Sequence, residues 1–85
     1  MRLDKWLKVS RLIKRRTVAQ EACDGGRVSI NGAVAKPSKE VKVGDIISIS
    51  FGAKTVKAGI LSVQETVRKD DAAAMYREIG EHVEI

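Results

Sequence analysis

The sequence holds one cysteine, one histidine and one proline, and only three aromatics, a single Trp, Tyr and Phe. Each scarcity excludes something. A lone cysteine cannot bridge within the chain, which suits a reducing cytosol and rules out a disulfide framework. One histidine and one cysteine, without paired ligand spacing, leave no basis for a zinc site. They also provide no serine–histidine constellation for nucleophilic chemistry. No Walker-type loop occurs, because Gly25-Gly26 closes a predicted helix instead of opening one. His82 falls in a tail expected to fray and reads as an exposed bystander. The core must be aliphatic, and the surface has no aromatic platform on which bases could stack. No long apolar run exists, and charge stands where a signal peptide needs its apolar segment. A chain of 85 residues can scarcely build a catalytic pocket. The expectation is one non-enzymatic, cytoplasmic protein without cofactor, metal or membrane span.

Positive charge is what the chain has, and most of it is at one end. Arg2, Lys5, Lys8, Arg11, Lys14, Arg15 and Arg16 are opposed within the first sixteen residues only by Asp4, a net of +6. The whole chain carries +5, so the remainder is slightly acidic. A pI near 9.7 with its cations so clustered is the footprint of a nucleic-acid binder. On a helix, Leu3, Trp6, Leu7, Val9 and Ile13 share one broad arc, with Ser10 near its middle and Leu12 at the border. Lys5, Lys8, Arg11 and Arg15 share the opposite side, and Asp4 is placed with them in the first turn. There it either answers the helix dipole and its basic neighbours or orients an arginine.

A second helix is predicted from Thr17, where Thr17 and Gln20 have capping-box spacing. Val18, Ala19, Ala22 and Cys23 form its inner face, with Cys23 a small buried hydrophobe, and Gly25-Gly26 ends it. Its N-terminal N–H groups beside Arg15 and Arg16 suit a phosphate. Next, Arg27–Ile30 and Ala33–Ala35 flank the hairpin turn Asn31-Gly32. Gly44-Asp45 turns into a strand over Ile46–Phe51, and Gly52–Lys54 into another from Thr55 to Val63. Val56, Ala58 and Ile60 share a face of that strand, and Gly59 is a candidate bulge. From Glu65 onward six acids meet three bases. Ala72, Met75, Tyr76 and Ile79 predict a short helix stopped by Gly80. The expected fold is α+β, with two N-terminal helices on a small, mostly antiparallel sheet plus a short C-terminal helix. Residues 1–64 are expected to form the binding domain, and 65–85 an acidic extension.

The ordered series Arg2-Leu3-Asp4, Leu7, Arg15-Arg16, Ala19, Gly26-Arg27-Val28, Ile30-Asn31-Gly32, Lys36-Pro37-Ser38 and Gly44-Asp45 resembles the S4-type RNA-binding domain, an αL-like motif. The match covers about residues 1–50. The opening Met1–Thr17 and the stand-alone length are similar to the small S4 proteins of ribosome-associated quality control. The resemblance implies binding to 50S subunits obstructed by nascent chain–peptidyl-tRNA, with contacts to 23S rRNA and tRNA near the P site. It further implies work beside an RqcH-type factor during C-terminal alanine tailing, as a monomer. Arg2 and Arg16 match the RNA-gripping arginines of the family and Asp4 its motif acid. The usual serine before the second arginine is Arg15 here, which adds charge and removes a hydroxyl. The expected RNA-binding set is Arg2, Asp4, Lys5, Lys8, Arg11, Lys14, Arg15, Arg16 and Arg27.

Four other readings compete with this one. A heat-shock-type rescue factor for stalled 50S subunits, or a general rRNA-binding assembly factor, would share the RNA-binding surface. An RNA-modifying enzyme would need a catalytic domain after the S4 unit, and none follows. A protein-only adaptor using the acidic end would bind with little salt dependence, whereas phosphate gripping weakens steeply with salt.

Overall fold

Alternating apolar residues and an aliphatic helical stripe meet in one two-layer core in the computed structural model, which describes residues 1–65 and 68–83. Helix α1 (Leu3–Val9) buries Leu3, Trp6 and Leu7 completely. It ends before its apolar arc does. Ser10 caps it with a hydroxyl donating to the Leu7 carbonyl at 3.2 Å, and Arg11 turns left-handed at φ 63°. Ile13 still joins the core, but from the connecting loop.

Helix α2 (Arg16–Asp24) packs against α1 through Ala19, Ala22 and Cys23, whose small side chains allow close approach. It departs from expectation at two residues. The helix starts at Arg16 with Arg15 as its N-cap, and no side chain caps it, so the Thr17–Gln20 capping box does not form. Val18 is 46% exposed, because it lies about 100° around the helix from Ala19, off the buried stripe.

Strands β1 (Val28–Ile30), β2 (Ala33–Val34), β3 (Ile46–Phe51), β4 (Lys54–Ile60) and β5 (Tyr76–Val83) form one sheet in the order β2-β1-β3-β4-β5, every pairing antiparallel. The β1–β2 turn uses Asn31 and Gly32, both at positive φ, matching the twist of the hairpin. Asn31 also braces the next turn. Its amide donates to Asp45 Oδ1 at 3.1 Å, and its Oδ1 accepts the Ile46 N–H at 2.9 Å. Register then stacks the apolar residues in rows: Val28 opposes Ile49, which opposes Val56, and Ile30 opposes Ile47, which opposes Ala58. This face packs on the helices.

The C-terminal third departs from the predicted helix. A 3₁₀ helix spans Lys69–Met75, burying Ala72 and Met75, but it stops at Tyr76. Residues 76–83 are strand β5, paired along β4. A helix ending at Gly80 is not seen, because the long edge of β4 offers backbone partners that helical spacing cannot reveal. The frayed tail expected beyond Gly80 lies partly outside the described residues. The side chain of His82 and the last two residues lie outside what is described. The β4–β5 register slips between Lys57 and Ala58, so the irregularity falls opposite Ile79 and not at Gly59. Trp6 ties this third to α1. Its indole N–H donates to the Ser62 carbonyl at 2.8 Å, and its ring meets Tyr76 edge-on at 6.4 Å.

Candidate nucleic-acid interface

The first turn of α1 is held in place by backbone pairing. Leu3 N–H donates to the Lys39 carbonyl at 2.7 Å, Asp4 N–H to the Pro37 carbonyl at 3.1 Å, and Val41 N–H to the Met1 carbonyl at 2.9 Å. Residues 37–41 thus lie against the N-terminus, and Arg2 makes an isolated bridge with Glu40. This anchoring presses Asp4 into the α1–α2 junction, where it is fully buried. The expectation that placed it on the open basic side is therefore revised.

A buried carboxylate needs donors, and Asp4 has a full set. Arg2 donates from Nε to Oδ1 at 3.2 Å and from Nη2 to Oδ2 at 3.3 Å. Arg16 approaches across the junction, with Nε on Oδ2 at 3.2 Å and Nη2 on Oδ1 at 3.5 Å. The Gln20 amide donates to Oδ2 at 2.9 Å and the Lys5 backbone N–H to Oδ1 at 2.8 Å. Burial alone would push the carboxyl upward. The hydrogen bonds from Gln20, Arg16 and Lys5, with the charge of Arg16, outweigh it and hold Asp4 below the usual carboxylate range.

Each guanidinium spends two of its five N–H donors on Asp4 and keeps three for an anion. The side chains of Arg2 and Arg16 remain 53% and 42% exposed. The carboxylate thus orients two arginine forks while cancelling only one of their two charges. Gln20 is the residue that sequence reasoning missed, since its spacing from Thr17 was read as a cap. The signal for it was Asp4 itself, whose burial demands neutral donors as well as cations.

The other expected residues divide differently. Arg15, next to Arg16, stands exposed at the N-cap and does not join the Asp4 cluster. Lys8, Arg11, Lys14 and Arg27 are also exposed and make no ion pair among the described residues. Lys5 is half-buried, its ammonium 3.6 Å from Glu65. Cys23 sits behind the junction. Burial first, then the charges of Asp4 and Asp24, push its thiol up to about 11, so it packs as a neutral side chain. Among the described residues no helix is long and apolar enough to cross a membrane.

Residues 1–47 match the S4 domain family. The chain is 58% identical over 76 residues to the RQC P-site tRNA stabilizing factor of Halalkalibacterium halodurans, covering 89% of this chain and 86% of that protein. It is 52% identical over 81 residues to the protein of the same name from Streptococcus pneumoniae, covering 95% and 92%. Its fold is similar to the trimeric structure of Vibrio cholerae heat shock protein 15, with a TM-score of 0.85 and 38% identity over 92% of this chain and 80% of that one. The paired helices, the Arg2–Asp4–Arg16 junction and likeness along most of the chain make this protein a member of the S4 domain family.

Proposed function

We propose that this chain is a non-enzymatic, cytoplasmic factor of ribosome-associated quality control that stabilises tRNA at the P site of the large subunit. In this reading it binds 50S subunits obstructed by nascent chain–peptidyl-tRNA and touches both 23S rRNA and tRNA. It thereby supports C-terminal alanine tailing by an RqcH-type factor. Likeness to proteins named for P-site tRNA stabilisation along nearly the whole chain supports the setting.

The observation that carries the reading is the Asp4 clamp, which presents two preoriented guanidinium forks on a basic surface. Arginine forks match phosphate geometry, and such contacts supply affinity and position more than sequence. Asp4 itself, being buried, acts through Arg2 and Arg16. Lys5, Lys8, Arg11, Lys14, Arg15 and Arg27 provide the surrounding electrostatic field. The clamp is complete within one chain, which supports action as a monomer although one relative is trimeric.

Co-sedimentation of the tagged protein with obstructed 50S subunits tests this. Arg16→Ala should reduce recovery roughly tenfold or more, the scale of losing hydrogen bonds to a charged group. Because it also takes two donors from buried Asp4, its melting temperature should fall by several degrees, and recovery is compared where circular dichroism shows the variant folded. Wild-type recovery of that variant would refute the clamp as the binding site. A second reading, rescue of stalled 50S subunits by a heat-shock-type factor, draws on the likeness to heat shock protein 15. Loss of alanine tails in cells lacking the protein favours the first reading; intact tails favour the second.

A further inference from the structure

A second cationic surface lies outside the expected RNA-binding set. Between the β1–β2 hairpin and residues 36–42 is an open groove of about 660 Å³. Lys36, Lys39 and Lys42 line it together with Ile30, Val34 and Ala35. All three lysines are exposed, and their ammonium groups make no ion pair among the described residues. Two acids also line the groove, and both are engaged within the protein. Glu40 lies 3.8 Å from the Met1 amino group. Asp45 accepts the Asn31 amide at 3.1 Å and the Lys42 backbone N–H at 3.0 Å. Glu40 is thus paired with a cation and Asp45 is held in the turn with its charge retained, so the three lysines leave the groove net positive.

The segment that bears these lysines runs beside the start of α1, where the clamp begins. The carbonyls of Pro37 and Lys39, from the segment bearing these lysines, accept the N–H groups of Asp4 and Leu3 at the start of α1. Arg2 also forms an isolated bridge with Glu40, so the clamp's first arginine and this lysine-bearing segment are immediate neighbours. Edge strand β2 is only Ala33–Val34, too short to template an added peptide strand. The geometry favours a phosphate backbone over an acidic peptide.

We propose that this groove is a second phosphate-binding surface, in which Lys36, Lys39 and Lys42 hold the backbone of the same RNA that Arg2 and Arg16 grip. It rests on the RNA-binding reading above and extends that interface from the helix junction to the hairpin. As ammonium groups on flexible stems, the lysines add affinity without selecting sequence.

Fluorescence anisotropy with the full chain and a labelled RNA stem–loop, titrated at several salt concentrations, tests the proposal. Replacing all three lysines by alanine should weaken binding at least tenfold at low salt. It should also flatten the plot of log affinity against log salt by about 2 to 3, at roughly 0.9 for each phosphate that is no longer neutralised. The three residues are exposed, so the melting temperature should not move, and the triple arginine variant should keep the wild-type slope. A wild-type slope in the alanine variant, with Arg16→Ala still impaired, overturns the groove and leaves the clamp standing. Absence of salt-dependent binding by the wild type overturns both. Unchanged RNA binding with loss of binding to polyglutamate overturns the proposal in favour of an acidic polypeptide.

Discussion

Apart from Lys5, which pairs with Glu65, the positive charges of the first sixteen residues fall into two groups that look alike in sequence and differ in structure. Arg2 and Arg16 are anchored on one buried carboxylate, each by two hydrogen bonds. Lys8, Arg11, Lys14 and Arg15 stand exposed without an ion pair among the described residues. The first group has given up conformational freedom before any ligand arrives, so less is lost on binding. The second adds field and counterion release, one cation much like another. The comparison separates a site from a charged surface.

The largest break in that comparison is Asp4→Ala. Removing the shared acceptor leaves two arginines in mutual repulsion and the Gln20 amide without its partner. Stability should fall by about 1–3 kcal/mol, measured by urea unfolding, and RNA binding should fall at least as far as in Arg16→Ala. Asp4→Asn gives the matching pH test. Because Asp4 is held below its unfolded value, its contribution is fully present above about pH 4. It is lost as pH falls through the lower folded value. The wild type should therefore lose stability over that acid window by an amount that Asp4→Asn does not. Identical acid profiles would show that the clamp contributes nothing to the fold.

A smaller effect separates geometry from charge. Arg16→Lys keeps the cation and removes the fork, so binding should drop several-fold, whereas Arg15→Lys should fall within about twofold of wild type. Equal losses would place both residues in the undifferentiated field. The smallest expected effect concerns Arg11, which carries a side chain at φ 63° just past the end of α1. Arg11→Gly should raise stability by about 0.5–1 kcal/mol by relieving that conformation. It should also lower the salt slope of RNA binding by no more than about one unit, the share of a single cation. A destabilised variant would show that the arginine side chain compensates for its backbone conformation.

How legible these features were depended on their range. The first part of the α1 arc, the Asn31-Gly32 hairpin and the strand over Ile46–Phe51 rest on local periodicity and turn chemistry, and they appear as expected. The end of α1 was less visible, since nothing local marks Arg11 as a residue that will turn left-handed. The helical spacing of Ala72, Met75, Tyr76 and Ile79 misled because only part of it is used. Ala72 and Met75 are buried, while Ile79 is 53% exposed on a strand recruited by the edge of β4. Arg2 and Arg16 were singled out by resemblance and Asp4 with them, but the burial of that carboxylate was not visible. Helical phase alone sets Asp4 among cations, whereas its burial comes with the packing of α2, whose Arg16 and Gln20 meet it across the junction.

The sequence by itself determined where the charge is, that the core would be aliphatic but for a buried Trp6, and that two helices precede an antiparallel sheet. These follow from composition and from periods of a few residues. Tertiary structure alone decided which cations became a site. Arg2 and Arg16 meet at Asp4, and Gln20 completes the donor set, because α1 and α2 pack through small side chains while residues 37–41 anchor the start of α1. It likewise decided the last strand, since β-pairing is settled by the partner edge and not by the residues that join it.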